Sequence, residues 1–171
     1  MANTDVTSKK VTSIASNNEV GRGYTRQVSI TFQDFLDNEP SGSSDNDTQT
    51  YELFSLPVGS ILKGVYYYLR TAFDDSGGGS ALGMEIGDTS DPNGILVSKE
   101  IHVDGTEIVA AVCDGAFFTV GSDATTGNAK VYTTANTVEA MFTPASYKLS
   151  ELTQGEIVFV ADIIYTNLAQ A

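Results

Sequence analysis

The stretch from residue 49 to residue 94 contains three extended runs that are separated by turn residues. The longest run spans residues 61–73 and is dense in β-branched and aromatic side chains. Such residues at near-alternating positions are typical of a long, half-buried β-strand. Runs 51–56 and 81–87 lie on either side of it, so the stretch predicts three β-strands. The odd-numbered positions of the longest run are Ile61, Lys63, Val65, Tyr67, Leu69, Thr71 and Phe73, which are expected to share one face.

Residues with special backbone preferences separate these runs. Pro57 fixes φ and Gly59 permits a positive φ, a combination that is typical of a turn after the first run. Residues 74–79, with the sequence DDSGGG, interrupt the chain after the longest run. We expect a flexible acidic loop there, which joins its two strands either as a hairpin or as a crossing between sheets.

Other segments extend the β pattern. Residues 26–35 alternate between apolar and polar side chains and predict the first strand of the body. Residues 156–165 are apolar at odd and even positions alike, which predicts a central strand covered on both faces. We interpret residues 144–155 as a corner that tucks Leu149 and Leu152 under the core. Further strands are predicted at residues 95–103, 129–133 and 137–143, with strand or irregular structure at 106–118.

About eight strands, frequent turn signals and no convincing helix predict an all-β protein. The expected architecture is an antiparallel β-sandwich with a jelly-roll-like strand order. Residues 1–23 are rich in Ser, Thr, Asn and Gly and keep neither the helical nor the strand period. We therefore expect an extended N-terminal arm at residues 1–23, followed by the β-sandwich body at residues 24–171.

The charge distribution separates the arm from the body. The chain contains 9 Lys and Arg against 22 Asp and Glu, for a net charge of −13. Residues 1–26 hold four of the basic and two of the acidic residues, so they carry +2 and the remainder carries −15. Phosphates repel such an acidic body, which argues against nucleic-acid binding. A basic arm predicts docking on another protein, and a merely solvated terminus is the alternative. The basic residues of this region are Lys9, Lys10, Arg22 and Arg26.

Length and composition fit one globular domain, because the chain has 171 residues, of which 41% are hydrophobic. No apolar run approaches the ~18 residues that a membrane-spanning helix needs, so we expect no membrane partner. No apolar segment stands near the N-terminus, so we expect no secretory signal. The single cysteine, Cys113, excludes an internal disulfide and fits synthesis in a reducing cytosol.

The sequence offers no catalytic constellation. A nucleophilic pair of His102 and Cys113 would need an orienting carboxylate, and no nucleophile motif is present. We expect Cys113 to act as a small buried apolar residue. One histidine and one cysteine cannot supply the ligands of a usual zinc site. The chain is therefore expected to be no enzyme and to hold no metal or cofactor.

Calcium is the more serious metal candidate. Residues 89–100 match part of the EF-hand loop, with Asp91 and Asn93 at ligand positions and a glutamate at the end. Thr89 replaces the first aspartate and predicted strands flank the loop, so coincidence is the better explanation. Asp88, Asp91 and Asn93 are weak calcium candidates, and a solvated acidic loop is the alternative.

Three consecutive tyrosines stand in the middle of the longest run. A strand directs Tyr67 to one face and Tyr66 and Tyr68 to the other. One of these faces is therefore expected to belong to the core. The other predicts a subunit interface, because tyrosine is enriched at protein contacts. Stacking of exposed tyrosines on sugar rings is the alternative.

Four short motifs stand at the predicted turns. They are a Phe-x-Leu-Pro-x-Gly turn at 54–59, a Thr-Ala-Phe strand end at 71–73, a Gly-Asp-x-x-Asp-x-x-Gly loop at 87–94 and a Leu-Thr-x-Gly-Glu corner at 152–156. Together they resemble a group of small β-rich virion proteins of tailed bacteriophages. The resemblance covers residues 50–165 and rests on turns that build the fold, not on an active site.

The resemblance implies a structural role on the virus particle. Within that class we expect a capsid decoration (cement) protein, made in the host cytoplasm, that binds the major capsid protein on the outer surface of the head and stabilises it. It implies a homotrimer or homodimer, with the basic arm on the capsid and Tyr66 and Tyr68 at the oligomer interface. The alternative is a tail-fibre or receptor-binding module that contacts host surface polysaccharide. A carbohydrate-active enzyme is the third and least favoured alternative, because a glycosidase needs two carboxylates at a set separation in a cleft and the sequence does not show that geometry.

Overall fold

The computed structural model describes residues 3–5, 12–13, 23–79, 81–103, 110–112 and 129–165. Most of these residues lie in β-strands, and no described helix is long and apolar enough to span a membrane. The helices are α1 (Phe32–Asp37) and a short 3-10 helix (Leu149–Glu151). The strands are β1 (Asn3–Asp5), β2 (Thr12–Ser13), β3 (Gly23–Thr31), β4 (Gln49–Leu56), β5 (Ser60–Asp75), β6 (Ala81–Asp88), β7 (Asp91–Glu100), β8 (Ala110–Val112), β9 (Lys130–Val131), β10 (Asn136–Ala145) and β11 (Leu152–Tyr165).

The strands form two sheets that pack on a common core. Sheet A has the order β1-β4-β10-β6-β7, and sheet B has the order β2-β3-β11-β5-β8, with β9 also paired to β5. Every described pair is antiparallel except β1 with β4. This confirms the predicted all-β antiparallel sandwich. The jelly-roll strand order stays a prediction. The chain changes from one sheet to the other several times, which is compatible with that order.

The acidic glycine-rich loop carries the chain from one sheet to the other. Strand β5 belongs to sheet B and β6 to sheet A, so the connection is a crossing and not a hairpin. The Asp75 carboxylate accepts hydrogen bonds from the backbone N–H groups of Gly77 at 2.7 Å and Gly79 at 3.1 Å. Gly78 has a φ of 80°, which glycine adopts without steric cost. The glycines therefore serve a tight bend between the sheets.

Strand β5 confirms the predicted long strand, but its inward face is interrupted at both ends. Lys63 and Thr71, which are expected to share one face with Val65, Tyr67 and Leu69, are exposed although those three residues are buried. Leu62 is fully buried in place of Ile61. The pairing of β5 with β11 shifts register near both ends, and such a bulge changes the face on which the next side chains lie. The predicted alternation is therefore wrong at the ends and correct in the middle and at Phe73. Its buried members are Val65, Tyr67, Leu69 and Phe73.

The first body strand begins and ends earlier than the predicted residues 26–35, and a helix that the sequence did not predict follows it. Strand β3 ends at Thr31, and α1 begins at Phe32. The backbone N–H and the hydroxyl of Thr31 both donate to Asp34 Oδ2 at 2.8 Å. A Thr-x-x-Asp pair of this kind satisfies free groups at a helix start. The prediction of a strand through Phe35 is wrong because this local capping interrupts the alternation.

Helix α1 directs Phe35 into an aromatic cluster at the centre of the core. The Phe35 ring centroid lies 5.1 Å from Tyr51, 5.7 Å from Phe73 and 5.0 Å from Phe142, all in edge-to-face geometry. Aromatic rings attract each other in this arrangement. Because Phe73 belongs to sheet B and the other two partners to sheet A, the cluster joins both sheets through the helix.

Strand β11 is the central strand that the sequence predicts in sheet B. It pairs with β3 on one side and with β5 on the other. Ile157 and Phe159 face the core and are fully buried. On the opposite face Val158 is also buried, whereas Val160 and Ile164 are only half-buried. The outer face is therefore covered in part.

Several other boundaries differ from the prediction. Strand β7 begins at Asp91, because the turn before it occupies only residues 89–90. Strand β10 continues to Ala145, so the corner before β11 is shorter than expected, although Leu149 and Leu152 are buried as predicted. The segment 106–118 is described only at β8. The arm is described only at β1, β2 and its last residue, so its separation from the body stays a prediction.

Candidate functional site

The outer face of sheet B carries a half-exposed apolar surface. Tyr66 lies opposite Val160, and Tyr68 lies opposite Val158, in the pairing of β5 with β11. We call these four residues the tyrosine face. Tyr66 is 39% exposed and Tyr68 is 36% exposed, whereas Tyr67 lies on the core side at 2%. The predicted division of the three tyrosines between two faces is confirmed.

Polar pairs border the tyrosine face. Arg70 Nη1 lies 2.7 Å from Glu156 Oε1, and its guanidinium lies 6.0 Å from the centre of the Tyr68 ring. On the other side of the face, the Thr25 hydroxyl donates to Asp162 at 2.7 Å. An apolar centre inside a polar rim is the composition of many protein–protein interfaces. The arrangement can therefore bind a protein surface.

Gly64 fixes the position of the Tyr66 ring. A side chain at residue 64 would place its Cβ 2.9 Å from the Tyr66 hydroxyl and 3.2 Å from two ring carbons. The ring therefore lies along β5 over the glycine, instead of standing away from the sheet. Three residues of this surface were not predicted from the sequence, namely Gly64, Val158 and Val160. Several even-numbered positions of β11 are also apolar, and this pattern could have indicated the surface, because a second apolar face has to be covered by other residues.

Of the four basic residues predicted for docking, the structure describes only Arg26. Lys9, Lys10 and Arg22 lie outside the described residues. The Arg26 guanidinium lies 5.3 Å from the centre of the Tyr165 ring, and β3 pairs Arg26 with the buried Ala161. Arg26 is therefore oriented toward the core side of sheet B, and the docking role of all four residues stays a prediction.

The candidate catalytic histidine is part of a buried structural contact. His102 Nε2 lies 3.3 Å from Asp75 Oδ1, and both side chains are at most 1% exposed. The His102 ring also packs at 5.9 Å from the Tyr147 ring. Burial by itself would raise the pKa of Asp75, but hydrogen bonds from Gly79 and Gly77 and the nearby His102 hold that pKa below its usual value. Cys113 lies outside the described residues.

Two groups of acidic residues are relevant to metal binding, one around His102 and one in strand β7. Asp74, Asp75 and His102 each place one ligand atom within 4.8 Å of the others, but Asp75 already accepts two backbone hydrogen bonds of the crossing loop. The weak calcium candidates Asp91 and Asn93 lie in strand β7, paired with β6 as a hairpin, where an EF-hand would have a loop. The positions of Asp91 and Asn93 therefore do not support a calcium site of the EF-hand type.

The third calcium candidate, Asp88, is fully buried in a hydrogen-bonded cluster. Its carboxylate accepts from the backbone and hydroxyl of Ser90 at 2.9 and 2.6 Å and from the Asp91 N–H at 3.1 Å. Lys130 Nζ donates to the other oxygen at 2.7 Å. Burial raises the pKa of Asp88, and the bonds from Lys130 and Ser90 outweigh that effect and lower it. The cluster ties the β6–β7 turn to the segment around β9.

A shallow open groove of about 460 Å³ lies at one end of sheet A. None of the described residues that line it is aromatic, although sugar rings are bound mainly by stacking on aromatic side chains. The groove therefore does not favour a polysaccharide site. The lining residues are Ser55, Leu56, Pro57, Thr89, Ala135, Asn136 and Thr137.

Comparison with known proteins identifies the fold. No protein-family model matches the sequence, and no curated protein matches it at a significant level. A chain of the cyanophage Pam1 capsid asymmetric unit superposes with a TM-score of 0.55 at 15% identity, over 92% of this chain and 95% of that chain. A chain from the acidic stable capsid structure of Helicobacter pylori bacteriophage KHP30 gives 0.50 at 13%, over 85% and 90%. The protein shares their fold.

Proposed function

We propose that this protein is a non-enzymatic structural component of a bacteriophage particle, namely a capsid decoration protein on the outer surface of the head. The shared fold carries the proposal, because it extends over 92% of this chain and 95% of a chain from a phage capsid. Two chains that align over such shares are of nearly equal length. The likeness thus extends over nearly the whole of that capsid chain.

The charge of the body supports a position outside the shell. The chain beyond residue 26 carries −15 and would face strong repulsion from packaged DNA on the inner surface. On the outer surface no phosphate lies close, and salt screens the repulsion between copies beyond about 8 Å. In this proposal the basic residues of the arm contact the major capsid protein, and the tyrosine face forms the contact between copies in a trimer or dimer.

The location on the particle tests the proposed function. We expect a quantitative gel of purified virions to show on the order of hundreds of copies per particle, because a component of the head shell follows its symmetry. A tail-fibre or receptor-binding module would be present in a few to a few dozen copies. Low copy number, or antibody labelling confined to the tail, would contradict the decoration role.

Replacing both Tyr66 and Tyr68 by serine is expected to weaken self-association at least about tenfold. Tyrosine is enriched among the few interface residues whose truncation costs about 2 kcal/mol or more, and 1.4 kcal/mol corresponds to a factor of ten. Sedimentation at several concentrations measures the effect.

The Val97→Ser variant is the matched control for the tyrosine variant. Val97 is 54% exposed but lies on β7, at the edge of the other sheet. We expect it to leave self-association unchanged. Equal effects of the two variants, or a wild-type protein that is monomeric at every concentration, would exclude the tyrosine face as the oligomer interface.

A further inference from the structure

The two short arm strands each extend the edge of a different sheet. Strand β1 pairs in parallel with β4, where Asp5 lies beside Glu52. Strand β2 pairs with β3 in sheet B. Only residues 6–11 connect β1 to β2, and a chain of this length reaches roughly 25 Å at most. The edges formed by β4 and β3 therefore lie on the same side of the sandwich.

We infer that this pair of edges is a docking site for the β1 and β2 strands of a second copy, so that neighbouring copies exchange their arms. An extended segment that adds to a sheet edge is bound mainly through backbone hydrogen bonds. The strands that the edges receive within one copy are identical to those that a neighbour offers. Exchange between copies thus preserves every contact that the arm makes.

The pairing within one copy is short and electrostatically unfavourable. It involves three residues of β1 and two of β2. In the register of sheet A, Glu139 lies opposite Glu52, which in turn lies beside Asp5. Like charges at neighbouring positions on adjacent strands oppose pairing. The exchanged pairing meets the same charges, so the release of the arm strands depends on the small number of residues that hold them, three in β1 and two in β2.

The sequence separation between β1 and the edge that it extends permits pairing with a partner copy. Parallel pairing of β1 with β4 cannot come from a tight turn, so no short connection ties the strand to its own edge. Residues 1–26 carry +2 and residues 27–171 carry −15, so at separations within about 8 Å the arm region is attracted to the acidic part of a neighbouring copy as well as to that of its own. At the high local concentration of an assembled surface, the intermolecular pairing competes effectively with the internal one.

Cysteine cross-linking between two single-cysteine proteins tests the exchange. Both carry Cys113→Ser, one also carries Asp5→Cys, and the other carries Glu52→Cys. Adjacent strands lie about 4.8 Å apart, which is within the Cα separation of about 4.4–6.8 Å that a disulfide accepts. After the two proteins are mixed and oxidised, we expect a covalent heterodimer on a non-reducing gel, in an amount that increases with protein concentration.

The matched control pairs the Asp5→Cys protein with a Ser98→Cys protein. Ser98 is exposed on β7, at the opposite edge of sheet A. We expect at least about tenfold less heterodimer from this pair, because the high effective concentration of a docked strand is absent. A protein with both Asp5→Cys and Glu52→Cys should form linked dimers and larger species in addition to an internal disulfide.

Two outcomes would overturn the exchange. In one, the double-cysteine protein closes only internally and the mixture gives no more heterodimer than the control. In the other, neither an internal nor an intermolecular disulfide forms, so β1 does not use this edge. The measurement needs no virus particles, so its failure leaves the proposed capsid role standing, and a wrong capsid role leaves the exchange testable.

Discussion

Replacing Phe35 by alanine is expected to lower the free energy of unfolding by about 3–5 kcal/mol. Removal of a fully buried phenylalanine costs this much, because the apolar burial is lost and a cavity is left behind. The ring also makes three edge-to-face contacts, with Tyr51, Phe73 and Phe142, and each pair contributes about 0.5–1.5 kcal/mol beyond burial. Urea unfolding followed by circular dichroism measures the loss. Because whole domains are stable by only about 5–15 kcal/mol, the variant approaches the limit of folding.

Leu36→Ala is the matched control on the same helix. Leu36 is 37% exposed and points away from the cluster, so we expect a loss below about 1 kcal/mol. Alanine has a higher helix propensity than either residue, and the gain of at most about 0.7 kcal/mol is small beside the loss expected at Phe35. If Phe35→Ala and Leu36→Ala cost the same, the aromatic cluster does not hold the sheets together.

The second large effect is expected at Gly155, for which alanine should cost about 2–5 kcal/mol. Gly155 has a φ of 138°, and side chains in such conformations cost about 1–3 kcal/mol. A Cβ there would also overlap the Phe73 ring, 2.5 Å from its Cγ and Cε1 atoms, and overpacking adds about 1–3 kcal/mol. Thermal unfolding should show a decrease in Tm of roughly 5–15 °C.

Gly42→Ala separates the two causes. Gly42 has a φ of 84°, but no atom lies within 4 Å of its hypothetical Cβ. We expect this variant to lose only the conformational contribution, about 1–2 kcal/mol. A loss at Gly155 that is no larger than the loss at Gly42 would mean that the Phe73 ring moves aside at no cost.

The contact of Gly155 with Phe73 explains two of the sequence motifs that led to the phage resemblance. The Thr-Ala-Phe strand end supplies Phe73, and the Leu-Thr-x-Gly-Glu corner supplies Gly155. The Phe-x-Leu-Pro-x-Gly motif acts similarly, since Gly59 has a φ of 84° and the Ser60 N–H donates to the Pro57 carbonyl oxygen at 3.0 Å. These motifs encode turns and close packing. They therefore predict the fold, but they do not predict the function.

The tyrosine face could be predicted only in part. Alternation along β5 placed Tyr66 and Tyr68 together, because side chains on a strand repeat with period two. Val158 and Val160 entered the surface through the pairing of β11 with β5, and register between strands that are distant in sequence is not a local property. Gly64 joined it because the Tyr66 ring lies along its own strand, a rotamer that the sequence does not specify.

The sequence by itself determined the all-β class, the long central strand and the buried strand at residues 156–165, since each depends on local periodicity and β propensity. Only the tertiary structure decided that the DDSGGG loop crosses between sheets, that bulges expose Lys63 and Thr71, and that Phe35 enters the core from a helix. Tertiary structure also decided the role of Asp88, whose partner Lys130 is distant in sequence. The physical reason is that periodicity fixes which face a side chain occupies within one strand, whereas long-range pairing and packing fix what that face meets.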